Sequence, residues 1–436
     1  MKVARLLNGF SLKYRENILH KRFFTVVSID ILVKLSGIIL LPVYLRLMTQ
    51  EEYGLYNYIL SIILTFSLVL NFGLYIPLAK FYHDYKDALQ KGKLLFTLFS
   101  LLAMALFPVI FIIYFFGFDY KIVDILFKHE INYGHYRVAI MMAIIVSVLN
   151  FMLTSFFFTS EKINRVKSYN VWRIICINII TIALLYFFKD NDKVELRLIS
   201  TYLIEFILFL FFSYFLFAEF IRVFSNKTAA SSIKLAVPVM LSAIFGIVIN
   251  FGDKFFLEKY GNFKDLSNYF LAASCAGLIP LIFTSVQNVW LPVFFKEKDL
   301  AANFLKTKKL MGRLVVAFLL LGASIVGFVK ILLVFNIIPS KYDQAIFILP
   351  ILLVSQIISA IVPLYSNYLI YFEKTYIVAY TGFFICVIIY AASMLLIPRF
   401  GVYGAALVSV ISNLVYFIIY YFIITNLASK HLRTIS

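Results

Sequence analysis

Long apolar segments separated by short polar connectors make up the chain, and this pattern runs from residue 22 almost to the end. A helix that crosses a bilayer needs about 20 mostly apolar residues, so each segment predicts one membrane-spanning helix. We predict twelve such helices at residues 23–47, 54–79, 94–117, 136–158, 168–188, 197–220, 233–257, 266–294, 310–335, 343–371, 375–397 and 401–425. The connectors are too short for a separate soluble domain. The pattern therefore predicts an all-α integral membrane protein.

The composition supports the bilayer as the solvent of this chain. Apolar residues make up 63% of the 436 residues and charged residues only 14%, whereas soluble domains have roughly 45–50% and about 25%. The net charge of +18 would suggest nucleic acid in a soluble protein. Here the basic residues lie in short connectors, where they indicate topology. We therefore expect the lipid bilayer as a partner and no nucleic acid.

Orientation follows from the distribution of Lys and Arg, because cytoplasmic connectors of membrane proteins are enriched in both. With the N-terminus in the cytoplasm, 26 of the 40 Lys and Arg fall on the cytoplasmic side and 12 on the other side. This bias predicts that both termini are cytoplasmic and that the number of spans is even. Residues 1–22 are basic and precede a long apolar run, which indicates an uncleaved first helix.

The two halves of the chain resemble each other. The segment LYNYIL at 55–60 matches LSNYFL at 266–271, at an offset of 211 residues that equals the spacing between predicted helices 1 and 7. Six helices form an even-numbered unit, so such a repeat is parallel, with its axis along the membrane normal. We predict two pseudo-symmetric six-helix lobes, 1–220 and 221–436, around a central cavity. Chance similarity between apolar segments is the alternative.

Charged residues inside the predicted helices indicate where the interior of the bundle lies, because charges facing lipid are costly. Asp30 and Lys34 are four residues apart and share one face of helix 1. They either line a cavity or form a self-neutralised pair that fixes helix packing. Arg173, just inside helix 5, is either a cytoplasmic anchor or a phosphate contact at the mouth of the cavity. Glu205, in helix 6, is either paired with a cation or protonatable.

Polar stripes at helical spacing occur on helices 2, 4, 7 and 10. They indicate either a hydrated cavity lined by both halves or hydrogen bonds at packed seams between helices. The stripes consist of Asn57, Ser61 and Thr65; Ser147, Asn150, Thr154 and Glu161; Ser242, Gly246, Asn250, Asp253 and Lys254; and Ser355, Ser359, Pro363 and Asn367.

Catalytic and metal-binding motifs are missing from the sequence. It contains three Cys and five His, with no CxxC, HExxH, GxSxG or Walker-type loop. We therefore predict no cofactor, no metal site and no enzymatic activity.

Short motifs at corresponding places in both halves carry a family resemblance. Pro42 at the end of helix 1, followed by Tyr53 and Gly54 at the start of helix 2, resembles the opening of the bacterial polysaccharide-exporter family, which includes the O-antigen and capsule repeat-unit flippases. The segment 250–254 (NFGDK) followed by Tyr269 is similar to the helix 7–8 passage of that family, although Ser267-Asn268 stands where the family has Gly. Pro292 near the end of helix 8 and Phe400-Gly-Val-Tyr-Gly404 at the start of helix 12 also fit the family.

This resemblance implies the multidrug/oligosaccharidyl-lipid/polysaccharide exporter superfamily and alternating access. The implied substrate is an undecaprenyl-pyrophosphate-linked oligosaccharide, moved from the cytoplasmic to the periplasmic leaflet of the bacterial inner membrane for synthesis of O-antigen (and hence lipopolysaccharide), capsule or exopolysaccharide. Implied partners also include a coupling ion, H⁺ or Na⁺, and polysaccharide polymerase machinery. We expect substrate contacts from Lys34, Arg173, Lys254, Asn57 and Asn250, and charge balance or ion coupling from Asp30, Asp253 and Glu205.

Two other functions stay open at this stage. A multidrug or cation antiporter of the same superfamily would more often have an acidic or apolar cavity, whereas this chain is basic. A polytopic enzyme that acts on lipid-linked sugars, such as an O-antigen polymerase, usually places its catalytic residues in a large periplasmic loop. The outer connectors of this chain are short and contain no paired-carboxylate site.

Overall fold

The computed structural model of the chain describes residues 36–435, apart from positions 189, 298, 373 and 375. This part of the chain contains no β-strand and is almost entirely helical. The α-helices are α1 Ser36–Leu47, α2 Gln50–Leu70, α3 Tyr75–Asp84, α4 Ala88–Phe115, α5 Phe118–Leu126, α6 Tyr133–Thr159, α7 Ile163–Phe187, α8 Lys193–Phe217, α9 Asn226–Tyr260, α10 Phe263–Ala276, α11 Leu278–Lys296, α12 Leu300–Val334, α13 Ala345–Tyr371 and α14 Tyr376–Ile435. A short 3₁₀ turn, Ser340–Tyr342, precedes α13.

Ten helical segments among the described residues are long and apolar enough to cross a membrane. The last, Tyr380–Leu427, has 48 residues, and at 1.5 Å per residue it would extend about 70 Å, more than twice the hydrocarbon thickness. Its backbone breaks at Gly401, where φ is 55° and ψ is −126°. It therefore supplies two crossings, and α1 is the described end of the first predicted helix. The prediction of an all-α membrane protein with about twelve spans is confirmed.

The helices form two lobes, which we call the first lobe (α1–α8) and the second lobe (α9–α14). In the first lobe α6 packs against both α2 and α8, and α7 packs against α8. In the second lobe α13 packs against α10, α12 and α14, and α14 also packs against α9. Helix α2 lies against α9 and α10 and joins the lobes around a central cavity. The boundary between residues 220 and 221 stays a prediction.

The second predicted span, 54–79, is not one helix, and this prediction was wrong. Helix α2 ends before Asn71, whose side-chain oxygen accepts the N–H of Gly73 at 2.8 Å. Phe72 and Gly73 both have left-handed backbones, with φ of 53° and 69°. A Cβ on Gly73 would lie 2.5 Å from the carbonyl oxygen of Ala236 in the other lobe. The turn therefore needs the Asn side chain to stabilise it and a glycine to fit against α9.

Two further boundaries differ from the predicted ones. The predicted span 266–294 is divided at Gly277 into α10 and α11. The ninth predicted helix begins at Leu300 rather than at residue 310, because the side chain of Asp299 accepts N–H groups of the first helical turn. Hydropathy alone did not detect this polar extension, which lies outside the apolar run.

The lobes are joined by polar contacts at one end of the bundle. We call this end the closed edge; it comprises residues 46–54, 126–132, 258–264 and 336–342. Helices α2 and α10 approach so closely there that a Cβ on Gly54 would lie 1.9 Å from the carbonyl oxygen of Phe263. Only glycine permits this approach of two backbones without displacement.

Glu258 forms the most buried polar contact of the closed edge. Its side chain is 1% exposed, and it accepts the backbone N–H groups of Lys128 and His129 at 2.9 and 3.1 Å. The Nδ1 atom of His129 lies 3.1 Å from the same carboxylate. Hydrogen bonds to a charged acceptor are worth about 1.5–3 kcal/mol each. This carboxylate of the second lobe therefore holds the α5–α6 connector of the first lobe.

A second set of contacts joins the α1–α2 turn to the α12–α13 connector. The Nζ atom of Lys341 donates to the carbonyl oxygen of Met48 at 2.7 Å, and Arg46 donates to the carbonyl oxygen of Asn336 at 2.5 Å. Both cations use backbone acceptors near helix ends, where the carbonyl groups lack helical partners. The closed edge is therefore held at two places by groups that water can replace.

Helix α5, outside the ten segments long enough to span, is anchored by an ion pair. Asp119, 2% exposed, accepts hydrogen bonds from Nε of Arg137 at 2.5 Å and from the hydroxyl of Tyr133 at 2.9 Å. Burial raises the pKa of the Asp119 carboxyl, but the hydrogen bonds from Arg137 and Tyr133 outweigh it, so this pKa lies below its ordinary value.

We expect Asp119→Asn to lower the free energy of unfolding by about 3 kcal/mol, because it leaves the Arg137 guanidinium without its charged partner. Since the pKa of Asp119 is lowered, its contribution is complete above about pH 4 and is lost as the pH falls through the folded-state value. Thermal unfolding in detergent should show a lower melting temperature at pH 7 and a smaller difference in strong acid. The control is Asp124→Asn, exposed on the same helix; equal melting temperatures for both variants at pH 7 contradict the prediction.

Candidate functional site

A cavity of about 720 Å³ lies between the lobes. Helices α1, α2, α7 and α8 of the first lobe line most of it, and the α10–α11 junction of the second lobe completes the wall. Its polar lining residues are Tyr44, Tyr53, Tyr56, Asn57, Ser147, Arg173, Asn178, Arg197, Thr201, Tyr202, Glu205 and Ser274. The wall thus combines two guanidinium groups with several aromatic hydroxyl, amide and small hydroxyl groups.

Arg173 and Glu205 form an ion pair in the wall of this cavity. Nε of Arg173 donates to Oε1 of Glu205 at 2.7 Å, and the amide of Asn150 donates to Oε2 at 3.3 Å. The Glu205 side chain is 4% exposed and that of Arg173 is 42% exposed. The carboxylate therefore lies behind the guanidinium, which faces the cavity with its charge largely balanced.

Arg197 occupies the end of the cavity next to the closed edge. Its guanidinium carbon lies 4.0 Å from the ring centre of Tyr44 and 3.9 Å from that of Tyr56. One of its N–H groups points to the sulfur of Met48 at 3.4 Å, and sulfur is a weak acceptor. Within residues 36–435, apart from the four undescribed positions, no carboxylate forms an ion pair with Arg197.

The local sequence explains how Arg197 is positioned. Helix α2 begins with a capping box in which Thr49 and Glu52 exchange side-chain and backbone hydrogen bonds, which fixes the tight turn after α1. This turn brings tyrosines from both helices to the same end of the cavity. The hydroxyl of Tyr44 also donates to the side-chain oxygen of Asn178 at 2.9 Å. The side chain of Tyr44 is therefore held by α7 as well as by its own helix.

Three of the predicted site residues form a separate group in the second lobe. Lys254 Nζ lies 3.1 Å from a carboxylate oxygen of Asp253 and donates to the carbonyl oxygen of Asn250 at 2.7 Å. The other carboxylate oxygen of Asp253 accepts the hydroxyl of Tyr269. The structure places none of Asn250, Asp253 and Lys254 in the wall of the cavity that contains Arg173.

The structure therefore brings together only some of the predicted residues. Arg173, Asn57 and Glu205 line one cavity, whereas the second-lobe group lies apart from it. The predicted pair of Asp30 and Lys34 lies outside the described residues. The roles of all these residues stay predictions.

The sequence interpretation missed Arg197, which it counted only as a charge near an outer connector. A signal was present, because Arg197, Thr201 and Glu205 recur at intervals of four residues and all three line the cavity. Such spacing places side chains on one face of a helix.

Several predicted stripe residues have a structural role instead. The hydroxyls of Ser61, Thr65 and Thr154 donate to backbone carbonyls four residues earlier on the same helix. Asn57 and Ser147 do line the cavity. The hydroxyl residues Ser61, Thr65 and Thr154 therefore agree better with the alternative of hydrogen bonds within packed helices. Only Asn57 of the α2 stripe and Ser147 of the α6 stripe agree with the alternative of a cavity lining.

The side chains of the cavity can bind ligand groups of two kinds. Among the described residues, no group of three or more His, Cys, Asp or Glu side chains could hold a metal ion. The cavity combines cations that can bind an anion with amide and hydroxyl groups that can bind sugar hydroxyls.

We expect Arg173→Met to lower the free energy of unfolding by about 3 kcal/mol, because the buried carboxylate of Glu205 loses its cation. The double variant Arg173→Met/Glu205→Gln should recover most of this loss, as measured by thermal unfolding in detergent. The control Lys162→Met removes a cation from the Lys162–Glu219 pair, whose side chains are each 32% exposed, and should cost less than about 1 kcal/mol. If the single and double Arg173 variants are equally unstable, the two residues are not energetically coupled.

Solved structures show which fold this is. A multidrug resistance MATE family transporter of the MOP superfamily, in an inward-facing conformation, aligns with a TM-score of 0.68 at 14% identity, over 93% of this chain and 95% of its own. The lipid II flippase MurJ aligns with a TM-score of 0.67 at 14% identity, over 91% and 87% of the two chains. A MOP superfamily transporter from Pyrococcus furiosus aligns with a TM-score of 0.61 at 15% identity, over 94% of each chain. The fold is therefore that of these transporters and flippases.

Sequence comparison identifies the family. No curated protein sequence matches the chain. The sequence model of a family described as "Polysaccharide biosynthesis protein" matches residues 19–298, which is well over half of the 436 residues. The match covers the first lobe and continues through α9 to α11, so it includes every helix that lines the cavity. This chain belongs to the polysaccharide biosynthesis protein family.

Proposed function

We propose that the protein translocates undecaprenyl-pyrophosphate-linked oligosaccharide repeat units across the inner membrane of a bacterium, for synthesis of O-antigen, capsule or exopolysaccharide. The observation that carries this proposal is the cavity between the lobes, which contains a guanidinium balanced by Glu205 at Arg173 and, at Arg197, one that has no carboxylate partner among the residues that the structure describes. The family match supports a role in polysaccharide synthesis. The likeness of the fold to that of a lipid II flippase supports a lipid-linked substrate.

The substrate has three parts with different solvation needs, and the cavity offers a group for each. A diphosphate needs cations, and guanidinium groups bind phosphate oxygens through two parallel hydrogen bonds. Sugar hydroxyls need donors and acceptors, which Asn57, Asn178 and Thr201 supply. The polyprenyl tail needs apolar surroundings, which the bilayer around the helices supplies. The proposed substrate thus fits both the cavity and its membrane setting.

Movement of such a substrate requires the cavity to open alternately at its two ends. We propose that the lobes, residues 1–220 and 221–436, rotate as units and separate at the closed edge. The contacts that must break are those of Glu258 with the α5–α6 connector and those of Lys341 with the α1–α2 turn. All are hydrogen bonds near helix ends, so water can satisfy both partners after separation. The distribution of Lys and Arg supports a periplasmic position for this edge.

The remaining predicted roles belong to this proposal. Lys34, Arg173, Lys254, Asn57 and Asn250 are the predicted substrate contacts; of these, Arg173 and Asn57 line the cavity, whereas Asn250 and Lys254 lie outside its wall. Asp30, Asp253 and Glu205 balance charge or couple translocation to H⁺ or Na⁺. Both termini are cytoplasmic, and the polysaccharide polymerase machinery receives the product.

Deletion of the gene tests the function. We expect lipid-linked repeat units to accumulate on the cytoplasmic face and surface polysaccharide to be lost, because the repeat unit cannot reach the side on which it is polymerised. The measurement is mass spectrometry of extracted lipid-linked saccharides together with surface-glycan staining. The control is complementation with the intact gene.

Two other outcomes separate the alternatives. Normal surface glycan with altered drug sensitivity contradicts the proposal and favours a multidrug antiporter. Loss of long polysaccharide chains while single repeat units still reach the cell surface contradicts it as well and favours a polymerase. The guanidinium of Arg197, which has no carboxylate partner within the described part of the chain, argues against cationic drugs as the main substrates, since like charges repel in a site of low dielectric constant.

A further inference from the structure

We propose that Arg197, together with Tyr44 and Tyr56, is the subsite that binds an anionic group attached to a sugar, and that this subsite decides which ligands the cavity accepts. The inference rests on the proposed function and deepens it, because it assigns the anion to one residue at one end of the cavity. The anionic group is either the diphosphate or the carboxylate of an acidic sugar.

Of the two arginines that line the described part of this cavity, Arg197 is the one without a carboxylate partner among the described residues. Arg173 is balanced by Glu205 at 2.7 Å. Two carboxylates on the helices around Arg197 have other partners: Glu195, two residues earlier on α8, lies 2.6 Å from Nε2 of His135, and Glu52, in the first turn of α2, accepts the backbone N–H of Thr49 at 2.6 Å. Of these two arginines, Arg197 therefore attracts an anion that enters the cavity more strongly than Arg173 does.

The guanidinium is also held in a fixed orientation. The rings of Tyr44 and Tyr56 lie 4.0 and 3.9 Å from its central carbon, and such contacts orient a cation by its attraction to the aromatic face. Stacked rings leave the N–H groups at the guanidinium edge free to donate. Of its five N–H donors, the one toward Met48 sulfur has a weak acceptor at 3.4 Å. The geometry therefore suits an acceptor with two oxygen atoms, such as phosphate or carboxylate.

The surroundings suit a sugar next to the anion. Tyr53 also lies near the guanidinium, with its ring centre 5.9 Å away, and the amide of Asn178 is held by the hydroxyl of Tyr44. Along α8, Glu205 is eight residues from Arg197, which corresponds to about 12 Å of helix. A ligand of several linked groups can therefore contact Arg197 at one end and the Arg173–Glu205 pair at the other.

The test is binding to the purified full chain in detergent, measured by calorimetry with three farnesyl probes. These are farnesyl diphosphoryl-N-acetylglucosamine, farnesyl glucuronide and the uncharged farnesyl glucoside. Hydrogen bonds to charged groups are worth about 1.5–3 kcal/mol, so we expect Arg197→Gln to weaken one or both anionic probes by about 10- to 100-fold. The affinity for the uncharged glucoside should stay unchanged. If Arg197→Gln weakens binding of the diphosphate probe alone, the diphosphate is the ligand of this subsite. If it weakens binding of the glucuronide alone, the ligand is the carboxylate of an acidic sugar.

Arg165→Gln is the matched control. The Arg165 guanidinium also stacks on an aromatic ring, that of Phe215 at 3.6 Å, but it does not line the cavity. Its substitution should change no affinity. Arg197→Lys retains the positive charge but lacks the planar guanidinium group, so its affinity for the anionic probe should fall by about tenfold. It provides a second variant if Arg197→Gln does not fold.

The outcomes separate the inference from the function on which it rests. If the unmodified protein binds neither anionic probe, both the subsite and the proposed substrate class are wrong. If it binds an anionic probe and both Arg197 variants bind that probe as tightly as Arg165→Gln does, the subsite is wrong while the proposed function stands. Equal weakening of all three probes by Arg197→Gln also contradicts an anion subsite, since it indicates a general loss of cavity structure.

Discussion

The free-energy cost of holding charge inside a bilayer is the constraint that organises this protein. An ionic side chain that faces lipid is unfavourable by several kcal/mol, so such groups pair, face a cavity or lie at the helix ends. Arg173 and Glu205 pair across α7 and α8, and Asp253 pairs with its neighbour Lys254. Arg197 has no carboxylate partner among the described residues and is instead stacked between tyrosines at the cavity. Its guanidinium lines a cavity of about 720 Å³, so it does not have to face lipid.

The same constraint decides where the lobes can separate. Hydrogen bonds deep in the bilayer cannot be exchanged for water, whereas those near helix ends can. The contacts that join the lobes at the closed edge involve backbone groups near helix ends, among them the N–H groups that bind Glu258 and the carbonyl of Met48 that binds Lys341. The ion pair of Arg173, by contrast, lies within one lobe. Separation of the lobes therefore leaves the ligand-binding wall of the first lobe intact.

Much of the fold could be predicted from the sequence, because hydropathy directly reflects the solvent of each segment. The breaks inside helices could not. The turn at Asn71 and Gly73 depends on a left-handed backbone and on the approach of α9, which apolar periodicity does not record. The division at Gly277 is similar, since a single glycine in an apolar run is compatible with a continuous helix.

The site was less predictable than the fold, because it depends on which faces of different helices meet. Arg173 and Glu205 were selected separately as charges in helices, and only the packing of α7 on α8 shows that they pair. Lys254 was grouped with Arg173 by charge alone, yet the structure leaves it outside the wall of the cavity that Arg173 lines. Arg197 was overlooked because its closeness to a connector suggested a topology signal. Its four-residue spacing from Thr201 and Glu205 was the information that sequence could have used.

The central claim is that the two lobes enclose one cavity and open it at the closed edge, and an interlobe distance tests this most directly. Spin labels at the exposed positions of Glu130 and Lys259 report the distance between the two lobes when the protein is studied in reconstituted membranes by pulsed electron paramagnetic resonance. The intact chain should give a short distance, and Glu258→Ala should add a longer one, since it removes the acceptor of three interlobe hydrogen bonds. If Glu258→Ala and the Asp124→Asn control give the same distribution of label-to-label distances, the proposed opening at the closed edge is contradicted.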